Sequence, residues 1–389
     1  MRQLTDSVAA PAETGLAPLR SVALIIGQLG LGGAEKQVAL LALGLHRRGI
    51  HTRVITLFSG GPREDDLRAA GVPVHNLGLR RLGRNPADAA RLAIGLGRLT
   101  AHLRRDRPDV VHSFLYHAYV LATPPARLAG VRVVVAGRRS LGTYLENRRL
   151  AQAAQRAVTR RTDLLIANAY AVADDTRRRE GLGGDRLAVV YNGLPDAAFA
   201  PTTPADLPDP VGPVVVCVAN LHDYKGHRHL LDAAALVRTP VTLVLIGDGT
   251  ERAALAEQAD RLGIDLRLLG HASPEEVPAW LARADLVVLP SLTEGMSNAV
   301  MEAMAAGRAI VATDVGGTGE LLRDRGSLVP PGDPRALAHA IDALLDDPGE
   351  RLRVGTAARD FAREHLTAEA MVRRHIEIYR ELVAAKCAG

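Results

Sequence analysis

The chain has 389 residues, 47% of them hydrophobic and 23% charged, with a formal net charge of +5. That length exceeds one ordinary core and points to two globular domains of similar size. Aromatic residues make up only 3%, too few for the stacking platforms of nucleic-acid binding, and no apolar run reaches the roughly 18 residues of a spanning helix.

From the start, residues 1–20 lack the apolar core of a secretory signal and read as a disordered tail. Two cysteines, Cys217 and Cys387, form no metal or redox motif, and a reducing, cytoplasmic setting is the expectation. "VALIIGQL" (22–29) reads as a strand, followed by a helix with apolar spacing of three and four. "RVITLF" (53–58), "VPVHNL" (72–77), "PDVVHSF" (108–114), "VRVVVAG" (131–137), "DLLIANA" (163–169) and "LAVVYNG" (187–193) continue the series. Strands alternating with helical patterns mean a parallel sheet covered on both faces. Residues 200–213 hold five prolines and read as a linker.

Beyond the linker the alternation restarts, with strands expected at 214–220, 241–247, 266–270, 284–290 and 308–313. The architecture read from this is α/β: two doubly wound domains, over 21–205 and 206–365, facing across a cleft. "MVRRHIEIYRELVAAK" (371–386) reads as an amphipathic helix inside a final segment, 366–389. Charge is divided unevenly. Residues 1–205 carry 29 Lys+Arg against 16 Asp+Glu, a balance of +13, and the remainder carries 19 against 27, or −8. Basic pairs such as Arg80-Arg81, Arg148-Arg149 and Arg160-Arg161 recur in the first half. A basic half fits an anionic partner such as a membrane leaflet or a phosphorylated acceptor, and equally a solvated arginine-rich exterior.

In doubly wound sheets ligands bind beyond the carboxyl ends of the strands, so the residues there are the candidates. After the first strand come Gly32 and Gly33, a pair that lets backbone approach an anion at a helix start; a simple tight turn accounts for them as well. His112 and His117 follow the strand at 108–114, and His117, at the loop or helix start, is weighted above His112 for a place in the cleft. "ANLHDYKGH" follows the first strand of the second half. Among 48 basic residues only three are lysines, Lys36, Lys225 and Lys386, and Lys225 here suits a point charge against a phosphate.

The most informative stretch is "TEGMSNAVMEAMAAG" (293–307). Glu294 lies on a turn, Ser297 or Asn298 caps the next helix, Glu302 sits in its second turn, and Gly307 ends it. Two carboxylates around a helix start can accept sugar and ribose hydroxyls, with the free amides between them meeting a diphosphate. An alanine-rich helix with one exposed glutamate is the plainer alternative.

Glu294 and Glu302, spaced E-x7-E, resemble the signature of family 4 retaining glycosyltransferases of the GT-B fold. "VLPSLTEGMSNAVMEAMAAGRAIVATDVGGTGEL", "VYNGLP", "ANLHDYKGHRHLLDAA" and "GGAEKQV" match in the same order, so the resemblance runs through nearly the whole chain from residue 21. It implies that Glu302 holds the nucleotide ribose, Glu294 holds donor-sugar hydroxyls, and Gly295, Met296, Ser297 and Asn298 present amides to sugar and phosphate. Lys225 takes the diphosphate role. The arginine that many members carry five residues earlier is replaced here by Asn220, with His222 between. Gly316-Gly317 corresponds to a turn near the donor, and His117 to a first-domain histidine near the reacting sugar.

The implied activity is transfer of a hexose-type sugar from a UDP- or GDP-linked donor to a glycan or lipid-linked acceptor, with retention. No metal cofactor is expected, and the last helix should cross back to the first domain. A front-face route, in which the leaving phosphate helps deprotonate the acceptor, is preferred over double displacement through Glu294. A non-catalytic sugar-nucleotide-binding protein and an epimerase of the same fold are the rival readings. Peripheral contact with an anionic inner leaflet is a further expectation, and nucleic acid is not.

Overall fold

The computed structural model of the protein describes residues 18–58, 60–79, 86–273 and 275–388. Residues 1–17 of the expected tail and the Arg80-Arg81 pair lie outside them. The first unit runs β1 (Ser21–Ile26), α1 (Gly33–Arg47), β2 (His51–Thr56), α2 (Arg63–Ala69), β3 (Val74–Asn76), α3 (Pro86–Asp106), β4 (Val110–Phe114), α4 (Tyr116–Leu128), β5 (Val133–Arg138), α5 (Arg149–Thr159), β6 (Leu164–Ala167), α6 (Tyr170–Glu180) and β7 (Leu187–Val189). The second runs β8 (Val214–Val218), α7 (His227–Ala234), β9 (Thr242–Ile246), α8 (Arg252–Leu262), β10 (Asp265–Gly270), α9 (Glu276–Arg283), β11 (Leu286–Leu289), α10 (Asn298–Ala305), β12 (Ile310–Thr313), α11 (Thr318–Leu322), β13 (Ser327–Val329) and α12 (Pro334–Asp346). Two helices close the chain, α13 (Pro348–His365) and α14 (Ala368–Ala388).

Val, Ile and Leu dominate the strands because both sheet faces are covered, and β1, β4, β5, β9 and β11 are buried along nearly their whole length. All ladder pairs are parallel. The sheet orders are β3-β2-β1-β4-β5-β6-β7 and β10-β9-β8-β11-β12-β13. Both reverse direction at one point, between β1 and β4 and between β8 and β11, where a crevice opens at the carboxyl ends. The expected strands are all present, yet several stop two to four residues early: the run at 187–193 pairs only over Leu187–Val189. The residues past those ends leave the ladder and become the loops that line the crevice. The short β13 escaped the sequence reading because three residues flanked by glycine and proline carry no periodic signal.

The two units are tied together at the crossover. Leu194 N–H donates to the Leu366 carbonyl at 2.8 Å and Ala368 N–H returns to Leu194 at 2.7 Å. A Cβ on Gly193 would stand 2.7 Å from Ala368 Cα, so the crossing strands touch backbone to backbone. From there α14 lies along α1 of the first unit. A Cβ on Gly44 would meet Val372 at 2.4 Å, and Arg48 pairs with Glu369. One apolar cluster spans both units, with Leu165, Ala169 and Leu194 on one side and Met296, Val300, Leu321 and Leu366 on the other.

Candidate active site

Adjacency of β8 and β11, with Val215 opposite Leu286 and Val216 opposite Val287, sends their two following loops out side by side. Past β8 the chain makes one 3-10 turn, Asp223–Lys225, and passes through Gly226 at φ +71°. A side chain at Gly226 would collide with the Pro290 carbonyl at 2.0 Å, and Leu292 N–H donates to the Tyr224 carbonyl at 2.8 Å. This stitching places Lys225 Nζ 2.6 Å from Glu294 Oε1, which also accepts from Ser291 Oγ at 2.8 Å. Asn220 is exposed beside this pair, and His222 Nδ1 lies 3.4 Å from Thr250 Oγ1 with its ring stacked on Tyr224.

Gly295 passes under the first unit: a Cβ there would stand 2.2 Å from the Arg139 carbonyl oxygen. The Gly316-Gly317 turn supports this loop from behind, with Gly317 N–H donating to the Gly295 carbonyl at 2.7 Å. Met296 is buried and its Sδ accepts from Asn192 N–H at 3.5 Å. Ser297 is the N-cap of α10, its Oγ accepting from Val300 N–H at 3.4 Å. Asn298 begins the helix and faces Gly33, the first residue of α1. Its Nδ2 donates to the Gly33 carbonyl at 3.3 Å, and a Cβ on Gly33 would stand 2.7 Å from that nitrogen. Gly32 caps α1 in extended conformation. Two helix N-termini, one from each unit, therefore converge on one spot, and both direct free N–H groups and positive dipole ends into it.

One turn further along the same pair of helices, Lys36 Nζ lies 2.5 Å from Glu302 Oε1. Each carboxylate of the E-x7-E pair is thus held by a lysine, Glu294 from its own unit and Glu302 from across the cleft. Both pairs are partly exposed to the cleft. Arg63 stands behind, its Nε donating to the Gly30 carbonyl at 3.1 Å. Burial lowers its pKa, against the opposing charges of Asp66, Glu35 and Glu302.

On the first-unit side His117 is exposed at the start of α4, edge-on to Phe58 and Tyr116 with ring centroids 5.9 and 5.4 Å away. It lines a cavity of about 290 Å³ with Tyr116, Tyr119, Ser140, Leu145, Arg148 and others. Arg138 and Arg139 contribute to the same wall, and among the described lining residues no carboxylate does. His112 is elsewhere: fully buried, its Nδ1 2.6 Å from the Tyr379 hydroxyl of α14, with burial pushing its pKa well down. Of the two histidines, His117 alone faces the cleft.

The sequence reading passed over a polar seam beneath the helix starts. Gln37 bonds both the N–H and the carbonyl of Gly193, at 2.7 and 2.9 Å. Asn192 Nδ2 donates to Asn298 Oδ1 at 2.9 Å, and Arg139 donates to Asn192 Oδ1 at 2.8 Å. Arg139 Nε and a second terminal nitrogen are buried without a hydrogen-bond partner among the described residues, and burial brings its pKa down to about 10. Lys36 was overlooked too, although the count of three lysines applied to it as much as to Lys225.

Two family models match the chain: Glycosyl transferase 4-like domain over residues 32–193 and Glycosyl transferases group 1 over residues 212–347. The chain is 31% identical over 305 residues to a glycogen synthase of Mycobacterium tuberculosis, covering 71% of each. It is 28% identical over 368 residues to the lipopolysaccharide core biosynthesis glycosyltransferase LpsE of Rhizobium meliloti, covering 91% of this chain and 96% of that one. A D-inositol 3-phosphate glycosyltransferase of Xylanimonas cellulosilytica is 27% identical over 371 residues, with 85% and 88% covered. Among solved structures, Anabaena HepE in complex with UDP superimposes with a TM-score of 0.79 at 21% identity, over 93% of this chain and all of that one. WaaG, a glycosyltransferase of lipopolysaccharide biosynthesis, gives 0.69 at 18%, over 92% of this chain and 99% of that one. Those likenesses establish the GT-B fold. With the ordered motifs and the matched models, they identify the chain as an enzyme of the group 1, family 4, glycosyltransferases.

Proposed function

We propose that this enzyme transfers a hexose-type sugar, with retention, from a nucleoside diphosphate to an acceptor seated against its first domain. One observation carries the reading: Glu294 and Glu302, each held by a lysine, flank the N-terminus of α10 where it meets the N-terminus of α1. Hydroxyls of sugar and ribose take the two carboxylates, and the diphosphate takes the amides between them together with Lys225. The UDP and UDP-glucose complexes of HepE support a donor of this class.

Glu294 Oε1 already accepts two hydrogen bonds, from Lys225 and Ser291, which supports a positioning role for that carboxylate over a nucleophilic one. The mechanism that fits is front-face: the bond from the anomeric carbon to the phosphate oxygen breaks, the acceptor's hydroxyl oxygen bonds to that carbon on the same face, and the departing phosphate oxygen takes the hydroxyl proton. Charge growing on the leaving group is met by Lys225 and the helix ends, with no metal required by this residue set. The acceptor enters by the cavity that His117 and Arg148 line, where exposed Arg148, with no carboxylate among the described lining residues, favours a phosphorylated or otherwise anionic acceptor. The phosphorylated acceptor in the name of the Xylanimonas relative supports this choice. Leu150, 88% exposed between Arg149 and the rest of α5, provides an apolar point on a basic helix for peripheral contact with an anionic leaflet at the cytoplasmic face.

The test is thermal stabilisation of the protein by UDP, GDP and ADP and their sugars without added metal, followed by determination of the product's anomeric configuration. A ligand that binds only the folded state raises the melting temperature. Selective stabilisation by one base and an axial-to-axial outcome support the reading. No shift with any of the three, or inversion at the anomeric carbon, overturns it. Release from anionic vesicles on raising salt supports the membrane contact, and salt-independent or absent binding removes it.

A further inference from the structure

Among the described residues, Lys36 is the one first-domain cation placed directly on Glu294 or Glu302, its Nζ 2.5 Å from Glu302. In the second domain, the loops that follow β8 and β11 provide a single lysine or arginine, Lys225, and its ammonium is already shared with Glu294. Asn220 carries no charge, and His222 is turned to Thr250. The charged groups around the helix starts, Glu294, Glu302 and Glu35 against Lys225, Lys36 and Arg63, cancel. A nucleoside diphosphate adds two or more negative charges to that neutral set. One lysine shared with a carboxylate does not balance them in a partly desolvated cleft.

We propose that Lys36 is a donor-binding residue delivered by the first domain, whose ammonium transfers from Glu302 to the diphosphate as the ribose hydroxyls take Glu302. The proposal rests on the donor-site reading above. Geometry favours Lys36 for this task. It lies one turn inside α1, immediately behind the Gly32-Gly33 start that abuts Asn298. Its compact, flexible ammonium can exchange partners over a short path. Arg63, the other nearby cation, is anchored through Nε to the Gly30 carbonyl and makes no ion pair with Glu302 among the described residues, whereas Lys36 does. Since Lys36 and Lys225 sit on different domains, full neutralisation of the phosphates requires the domains to stay as near as the Lys36–Glu302 pair already holds them.

The experiment is calorimetric titration of UDP and GDP, each beside its own nucleoside, into the wild type and the Lys36→Met, Lys36→Gln, Lys36→Arg and Lys225→Met variants. For the base that the wild type binds, Lys36→Met and Lys36→Gln are expected to weaken the diphosphate roughly tenfold. They should leave the nucleoside unchanged or tighter, because Glu302 no longer has a competitor. Lys36→Arg should recover most of the loss. Diphosphate binding that is unchanged or tighter in Lys36→Met means that the lysine only covers Glu302, and overturns the proposal. Equal losses for nucleoside and diphosphate place its effect on the ribose or the fold, and also overturn it. A wild type that binds neither diphosphate, with Lys225→Met indistinguishable from it, defeats the donor-site reading itself. A Lys225→Met loss without a Lys36 loss defeats the clamp alone.

Discussion

Lys225 Nζ and Glu294 Oε1 lie 2.6 Å apart, and they belong to loops 69 residues apart that meet because β8 and β11 are neighbours at the point where the sheet order reverses. Their side chains are only 18% and 12% exposed, so the pair is no ordinary surface bridge. Removing one partner leaves the other charged and poorly solvated.

Glu294→Ala is therefore expected to lower turnover by on the order of 10²–10³-fold, as the loss of one positioned polar group in a reaction centre does. Fold is expected to survive, since Glu294 lies outside the apolar clusters. Steady-state transfer kinetics beside a circular-dichroism melt check this. A variant that transfers sugar at the original rate would falsify the site assignment.

Gly295→Ala tests the seam between domains. The added Cβ would stand 2.2 Å from the Arg139 carbonyl oxygen and 2.9 Å from its carbon, both backbone atoms that no rotamer change can clear. The loop must withdraw from the first domain, carrying Glu294 with it. A cost of about 1–3 kcal/mol and at least a tenfold drop in activity are expected. Gly97→Ala is the control: it lies in α3 with open space around the new methyl and should be neutral or stabilising by up to about 1 kcal/mol. Equal melting temperatures for the two variants would show that the close approach is not maintained in solution.

Much of this site could be read in the sequence because strand ends announce it. Once β8 and β11 are recognised as strands, the residues after them become candidates, and the family resemblance picks out Lys225 and Glu294; that their loops lie side by side comes from the sheet order. Two helices are needed to bring Lys36 to Glu302 across 266 residues, and no local spacing encodes which turn of α1 faces which turn of α10. His112 and His117 show the same limit at closer range. Alternation along β4 puts Val110, His112 and Phe114 on the face that α14 covers, but that cover is supplied by the far end of the chain. Arg139 was likewise one arginine among many until its neighbours Asn192 and Gly295 were in place.

Glu180 holds Arg138, which lines the same cavity as His117. It accepts from Arg138 at 3.2 and 3.1 Å and from Gln155 at 2.6 Å, and also from the Thr159 hydroxyl. Both charged side chains are at most 5% exposed, and the Arg138 guanidinium lies 3.9 Å over the Tyr119 ring. Glu180→Ala strands that guanidinium in the interior and is expected to cost roughly 3–5 kcal/mol in urea unfolding. Replacing both partners with apolar residues of similar volume should recover much of the loss. A single-variant cost below about 1 kcal/mol would mean that solvent reaches the pair.

His227 sets an acid limit beside the loop that carries Lys225. It opens α7 two residues after Lys225, is 2% exposed, and has both ring nitrogens buried without a hydrogen-bond partner among the described residues. Burial first, then the positive charge of Lys225, lowers its pKa from 6.5 to about 4, with Glu251 opposing and His222 adding. Above pH 6.5 the ring is neutral in the folded and unfolded chain alike. Between about 6.5 and 4 the unfolded chain takes up the proton and the folded one does not, so stability falls as pH falls. At about 1.4 kcal/mol per pKa unit the loss from this residue is on the order of 3 kcal/mol by pH 4. His227→Leu removes the group and should flatten that part of the profile. Buried His112 and His375 keep their own acid sensitivity in both proteins, so the readout is the difference between wild type and variant from pH 7 to 4. Parallel curves over that range would show that His227 is already charged, or solvated, in the folded enzyme.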